Sequence, residues 1–193
     1  MEKDLFWGNI FNIGKRTDSL YFFLKSTPLF KGFTSRDIKN IEKIVHLRKF
    51  KEGEIVFKED EPGTGMYLIK SGSIRIAKQG NKQGDKNQED IISTLMQHDF
   101  LGELALIEET SCARTASAYA DHESELVGFF KPDLMDIIQR NPRLGVKIVM
   151  RISEIVAARL RITTSALTEK KKKVKELEVT LKDKNEPLQR PEP

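Results

Sequence analysis

The residues best suited to bind a charged ligand lie between Phe100 and Ala120, in FLGELALIEETSCARTASAYA. Gly102-Glu103-Leu104-Ala105-Leu106 is a glycine followed by a short helix-forming run, so its first backbone N–H groups converge on one point and can receive an anion. Glu103 adds an acceptor at that point. Arg114, across a tight loop, adds a planar cation able to grip a phosphate through two parallel N–H···O bonds. A carboxylate beside a phosphate cradle is self-defeating unless the ligand also offers hydroxyls. A ribose phosphate offers both.

The run Gly-Glu-Leu-Ala-Leu followed by Ala-Arg-Thr-Ala-Ser resembles the phosphate-binding cassette of the cyclic-nucleotide-binding domain family, which includes catabolite activator proteins, regulatory subunits of protein kinase A and cyclic-nucleotide-gated channels. The resemblance covers roughly Leu20 to Thr164, with Gly53, Gly63 and Gly72 where the family has turn glycines. It implies that Glu103 accepts the ribose 2′-hydroxyl and that Arg114 holds the cyclic phosphate. Gly102, Leu104 and Ala105 would lend backbone, and Thr115 its hydroxyl and amide. Two departures stand out. The loop from Glu103 to Arg114 is slightly longer than the family's, and His98 occupies a position that is usually glycine, where a positive φ would be strained. Some members keep the roll and bind nothing, so the competing class is a nucleotide-free interaction or scaffold module.

The elements that must position these residues fit within bounds set by composition. With 193 residues and 38% apolar content, the chain has room for one ordinary domain plus extensions. Its single cysteine, Cys112, excludes an internal disulfide and suits a reducing cytoplasmic setting. No signal peptide is evident, and no apolar run approaches the ~20 residues that span a bilayer. The net charge of +4 is mild, and much of the positive charge sits in one tail, Lys170 to Lys173 with Lys175. That argues against a broad basic face for nucleic acid.

In chain order, residues 1–18 form an apolar N-terminal segment, with Leu5, Phe6, Trp7, Ile10, Phe11 and Ile13 at roughly helical spacing. Such a segment either packs on its own domain or a twin subunit, or docks on a partner or membrane surface. A short helix from about Ser19 to Lys25 must stop ahead of Pro28. Thr34-Ser35-Arg36-Asp37 reads as a capping box, opening an amphipathic helix to about His46 with Ile38, Ile41, Ile44 and Val45 on one face. His46 then falls near the last carbonyls of that helix. Six runs of β-formers follow: residues 55–57, 66–69, 73–77, 91–96, 115–119 and 125–130. Ser71-Gly72 marks a hairpin between two of them. QGNKQGDKNQED, residues 79–90, is a polar surface connection.

Many short strands in one domain predict an α+β chain built on a β-roll (jelly roll), with N-terminal helices, a short cassette helix and a long C-terminal helix. Residues 19–140 would be the cyclic-nucleotide-binding domain with its flanking helices. Jelly rolls also house metal-dependent cupin enzymes. Those gather histidines with a carboxylate, whereas His46, His98 and His122 are dispersed and form no His-x-His pair. Neither a metal site nor a catalytic site is expected, and the chain reads as a non-enzyme.

Lys131-Pro132-Asp133 starts a helix with Leu134, Ile137 and Ile138 inward, and Asn141-Pro142 caps and opens a longer one. That helix, residues 141–182, is apolar on more than one side, and its ladder of Leu160, Leu167, Val174 and Leu181 at seven-residue steps is a candidate dimer coiled coil. Residues 183–193 are expected to be disordered. Transcription factors of the family carry a further DNA-binding domain after this helix, so direct DNA reading is not expected here. Output would pass to an unidentified effector protein. The run Ala158-Arg159-Leu160-Arg161-Ile162-Thr163-Thr164 resembles the segment with which the family's activator proteins meet the adenine amino group. The resemblance thus implies cyclic AMP as the ligand with Thr163 and Thr164 on the base. Thr115, of the type that other members set against guanine, keeps cyclic GMP as the alternative.

Overall fold

The computed structural model describes residues 20–80, 89–108 and 113–185. The apolar segment 4–16, Cys112, most of the polar connection 79–90 and the end of the tail lie outside these residues. The chain divides into two compact units after Arg151. The first holds the roll and its helices, and the second is the remainder of the long C-terminal helix.

Helix α1 (20–26) buries Leu20, Phe23 and Leu24 and ends where Thr27 precedes Pro28. A 3-10 turn, Pro28–Phe30, buries Leu29 and Phe30. Helix α2 (Ser35–Glu42) starts on the expected capping box. The Asp37 N–H donates to Thr34 Oγ1 at 3.1 Å, and the Thr34 N–H donates to Asp37 Oδ2 at 2.9 Å. The helix stops at Glu42, short of the expected His46, and His46 instead opens a strand. Ile44 and Val45 continue the helical spacing, but the backbone of His46–Phe50 bonds to the strand Ser124–Phe130, a distant partner that local periodicity cannot register. His46 accordingly faces Asp133, with Nε2 3.5 Å from Oδ2.

The roll is two antiparallel four-stranded sheets. One runs β1 (His46–Phe50), β8 (Ser124–Phe130), β3 (Gly65–Ser71), β6 (Phe100–Leu101); the other runs β2 (Ile55–Phe57), β7 (Ser117–Ala120), β4 (Ile74–Gln79), β5 (Glu89–Leu95). Strands β1 and β6 are additional to the six expected runs. β1 is an edge strand whose charged residues face outward and of which only Phe50 is buried, so no apolar alternation advertised it. The sheets face each other across Phe50, Val56, Ile69, Ile74, Ala118, Ala120 and Leu126. Each large side chain fully buried there contributes about 1.5–3 kcal/mol. Gly72 turns the β3–β4 hairpin at φ 84°, pressed so close to Ser124 that a Cβ would collide with it.

Helix α4 (Lys131–Arg140) follows β8 directly, its first turn held by the Phe130 N–H donating to Asp133 Oδ2 at 3.0 Å. Leu134 and Ile137 are buried, and Ile138 is half-buried. Asn141 then caps α5 (Pro142–Asn185), accepting from the Leu144 N–H at 3.3 Å. Within the first unit, Leu144 and Ile148 are buried. The Lys147 ammonium bonds Asp37 at 3.1 Å and the Gly32 carbonyl at 2.9 Å, fastening α5 to the start of α2.

Candidate functional site

Gly102, Glu103, Leu104, Ala105 and Arg114 converge at one corner of the roll. β6 delivers the chain to Gly102, whose φ of 76° lies in the left-handed region that glycine enters without steric cost. The turn releases Glu103 to open the one-turn helix α3 (Leu104–Ile107). Ala105 and Leu106 are buried beneath that turn, and Leu104 is on its outer side. Within that turn the Ala105 N–H donates to the Gly102 carbonyl at 3.3 Å and the Leu106 N–H to the Glu103 carbonyl at 3.0 Å. Glu103 stands at the N-cap of α3 and makes no side-chain capping bond to it.

Arg114 is 8% exposed, an uncommon burial for a guanidinium. Its Nη1 donates to the Gly102 carbonyl at 3.2 Å, and its Cζ lies 4.1 Å from the centroid of the Phe57 ring. The guanidinium carbon therefore sits over an aromatic face, which restrains where the group can lie. Its backbone is anchored as firmly: the Arg114 N–H donates to Glu61 O at 2.8 Å, and the Asp60 N–H donates to Arg114 O at 2.9 Å. Gly102 serves this arginine as well as the turn, because a Cβ there would overlap Arg114 Nη1 and stand 3.1 Å from the Gly65 carbonyl. Thr115, the next residue, is exposed.

Two contributors were not apparent from sequence. Phe57 lies in a strand far from Arg114 in the chain, and the turn at Asp60–Glu61 presents only backbone. No local pattern announces either. His98, by contrast, meets its expectation: its φ is 71°, the strained conformation foreseen for a residue in a glycine position. Its ring stacks on Phe23 with centroids 5.4 Å apart, and its N–H donates to Ile69 O at 2.9 Å. Thr163 and Thr164 lie on α5 in the second unit, both exposed, and Thr163 Oγ1 donates to the Arg159 carbonyl at 2.9 Å.

The jelly roll thus brings to one corner a glycine turn, a helix-opening glutamate and a buried arginine, residue types that could together receive a small anion. Residues 47–141 match the cyclic nucleotide-binding domain, and the chain belongs to that family. It is similar to the cyclic AMP receptor protein of Thermus thermophilus, 28% identical over 138 residues covering 72% of this chain and 59% of that one. Among solved structures, a cyclic nucleotide-binding domain from Methylobacillus flagellatus superposes with a TM-score of 0.68 at 19% identity, covering 81% of this chain and 84% of that one. The catabolite activator protein of T. thermophilus superposes with a TM-score of 0.62 at 26% identity, covering 73% and 62%. The chain thus spans less than two thirds of the length of the Thermus proteins. Among the described residues, no helix is long and apolar enough to cross a membrane.

Proposed function

We propose that this chain is a cyclic-nucleotide receptor module, with cyclic AMP as its ligand, that passes occupancy to a partner protein through rearrangement of its long helix. Its role is regulatory and not catalytic. The observation that carries this reading is Arg114, a guanidinium held in place by Gly102 and Phe57 at the opening of a one-turn helix. A cyclic phosphate bound there meets a fixed two-pronged donor together with the backbone of Gly102, Leu104 and Ala105 and the hydroxyl of Thr115, while Glu103 accepts from the ribose 2′-hydroxyl.

The base preference rests on Thr163 and Thr164. With the Thr163 proton committed to the Arg159 carbonyl, its oxygen is left as an acceptor. An acceptor suits the adenine amino group and opposes the carbonyl that guanine carries in its place. A second copy of the chain accounts for the rest of α5. Leu160, Leu167, Val174 and Leu177 are each more than half exposed in the single chain, and a parallel helix pair would cover them. Ligand that engages the helix then biases the angle of the pair, and a partner protein reads it.

Isothermal titration of the full chain with cyclic AMP and cyclic GMP tests the reading. Cyclic AMP is expected to bind about tenfold more tightly, a preference that the Thr163→Val, Thr164→Ala double variant loses. No binding of either nucleotide overturns the receptor assignment; equal affinities overturn the base assignment alone. Light scattering is expected to give a dimer at tens of micromolar, and a monomer with and without ligand would remove the helix pair.

A further inference from the structure

Away from the cassette, α2, α4 and the start of α5 enclose a cleft of about 980 Å³. Its lining carries five cationic side chains and two carboxylates. Four of these seven neutralise each other: Lys147 with Asp37 at 3.1 Å, and Arg140 with Asp136 at 2.7 Å. Three cations remain, Arg36, Lys43 and Arg143, all exposed and without a carboxylate partner among the described residues. Between them lie the apolar side chains Ile44, Ile137 and Leu144. An uncompensated charge of +3 above an apolar floor is a recognition surface with nothing in the fold to explain it.

We propose that this cleft docks an acidic, amphipathic segment of a partner protein. Arg36 lies in the first turn of α2 and Lys43 caps its end seven residues on, about 10.5 Å along the axis. Carboxylates two turns apart on a partner helix repeat at the same interval. Arg143 stands at the opening of α5, so the positive charge comes from two different helices. Charge spread in this way does not converge on one phosphate. A peptide matches it, setting separate carboxylates on separate cations and apolar side chains on the floor. The cleft also shares α4 with the cassette, since the Lys131 ammonium donates to the Glu108 carbonyl at the end of α3. The docking site does not depend on which nucleotide the cassette takes.

Fluorescence anisotropy on the full chain tests the proposal with a short labelled peptide of Glu and Leu in helical repeat, its Gln-for-Glu counterpart, and inorganic triphosphate as competitor. The acidic peptide is expected to bind and to weaken with added salt, while the neutral one does not bind. Arg36→Gln/Lys43→Gln/Arg143→Gln is expected to lower affinity about tenfold, with partial losses from each single change. These side chains are exposed, and an unshifted melting temperature confirms that the variants fold. Neutralising Lys170 to Lys173 and Lys175 is expected to leave binding unchanged. Absence of binding, an unaffected triple variant, loss through the tail variant, or displacement of the peptide by triphosphate at lower concentration than unlabelled peptide would each overturn the proposal.

Discussion

Replacing Arg114 by alanine separates ligand binding from folding. The guanidinium is 8% exposed, so a phosphate that reaches it sits in a partly dry corner, where losing one member of a charge pair costs about 2–5 kcal/mol. At about 1.4 kcal/mol per decade, this is about 30-fold to about 4,000-fold in the dissociation constant for cyclic AMP. Stability responds to opposing effects. The variant loses the stack on Phe57, worth about 0.5–2 kcal/mol, and the bond to the Gly102 carbonyl. It also sheds the desolvation cost of a buried cation, several kcal/mol by itself. These effects oppose each other, so stability is expected to change less than binding does. Arg114→Lys keeps the charge but not the planar fork or the aromatic stack, so its affinity is expected between the other two. Isothermal titration beside thermal melting reads both quantities. An Arg114→Ala chain that melts near wild type and binds cyclic AMP at wild-type strength would refute the reasoning.

Gly102→Ala forces a Cβ into the left-handed region, costing about 1–2 kcal/mol, and displaces the guanidinium it would overlap; both stability and affinity should fall, and unchanged affinity would show that the arginine's position is immaterial. His98→Ala and His98→Gly both discard the Phe23 stack, but only alanine keeps a strained φ of 71°, so His98→Ala is expected to be less stable than His98→Gly by about 1 kcal/mol in urea unfolding; the reverse order would mean that the turn is not what strains this position. Burial tends to raise the Asp37 carboxyl, but the Thr34 N–H, the Lys147 ammonium and the Thr34 hydroxyl outweigh it and hold the group below its ordinary 3.8. A depressed folded value gives stability that is present above pH 3.8 and lost as pH falls through the folded value, so the advantage of wild type over Asp37→Asn should shrink on acidification, and a constant gap in urea midpoints would remove that linkage.

The fold was legible where chemistry is local. The capping box at Thr34, the proline-opened helix at Lys131 and the cap at Asn141 are each set by side chains within three residues of the backbone groups they satisfy, and all three form as read. The helix over 34–46 was read too long because Ile44 and Val45 keep its period, while β8 claims the next five residues by hydrogen bonds from across the roll. β6, two residues long, is too short for any alternation to declare it.

The candidate site divides along the same line. Gly102, Glu103 and the turn of α3 are neighbours in the chain, and the order of residue types alone specifies a turn that needs glycine and a helix that starts on an acid. Arg114 is readable as a cation near that turn, but its burial is not. That property comes from the ring of Phe57 on another strand and from backbone bonds to Asp60 and Glu61, none of which carries a residue-type signature. The division has a functional consequence. Local chemistry sets the turn proposed to receive an anion, and long-range packing holds the Arg114 side chain beside it. A flexible surface arginine would bind any phosphate, at an entropic cost for each rotamer it freezes. One already held over an aromatic ring and tied to the Gly102 carbonyl has met that cost during folding. On the proposed function, selectivity for a cyclic phosphate over other anions would therefore belong to Phe57 as much as to Arg114. A Phe57→Leu substitution, which keeps an apolar floor and removes the π face, is expected to narrow the preference for cyclic AMP over 5′-AMP more than it lowers the melting temperature. Equal preference in both chains would assign selectivity to the backbone of α3 instead.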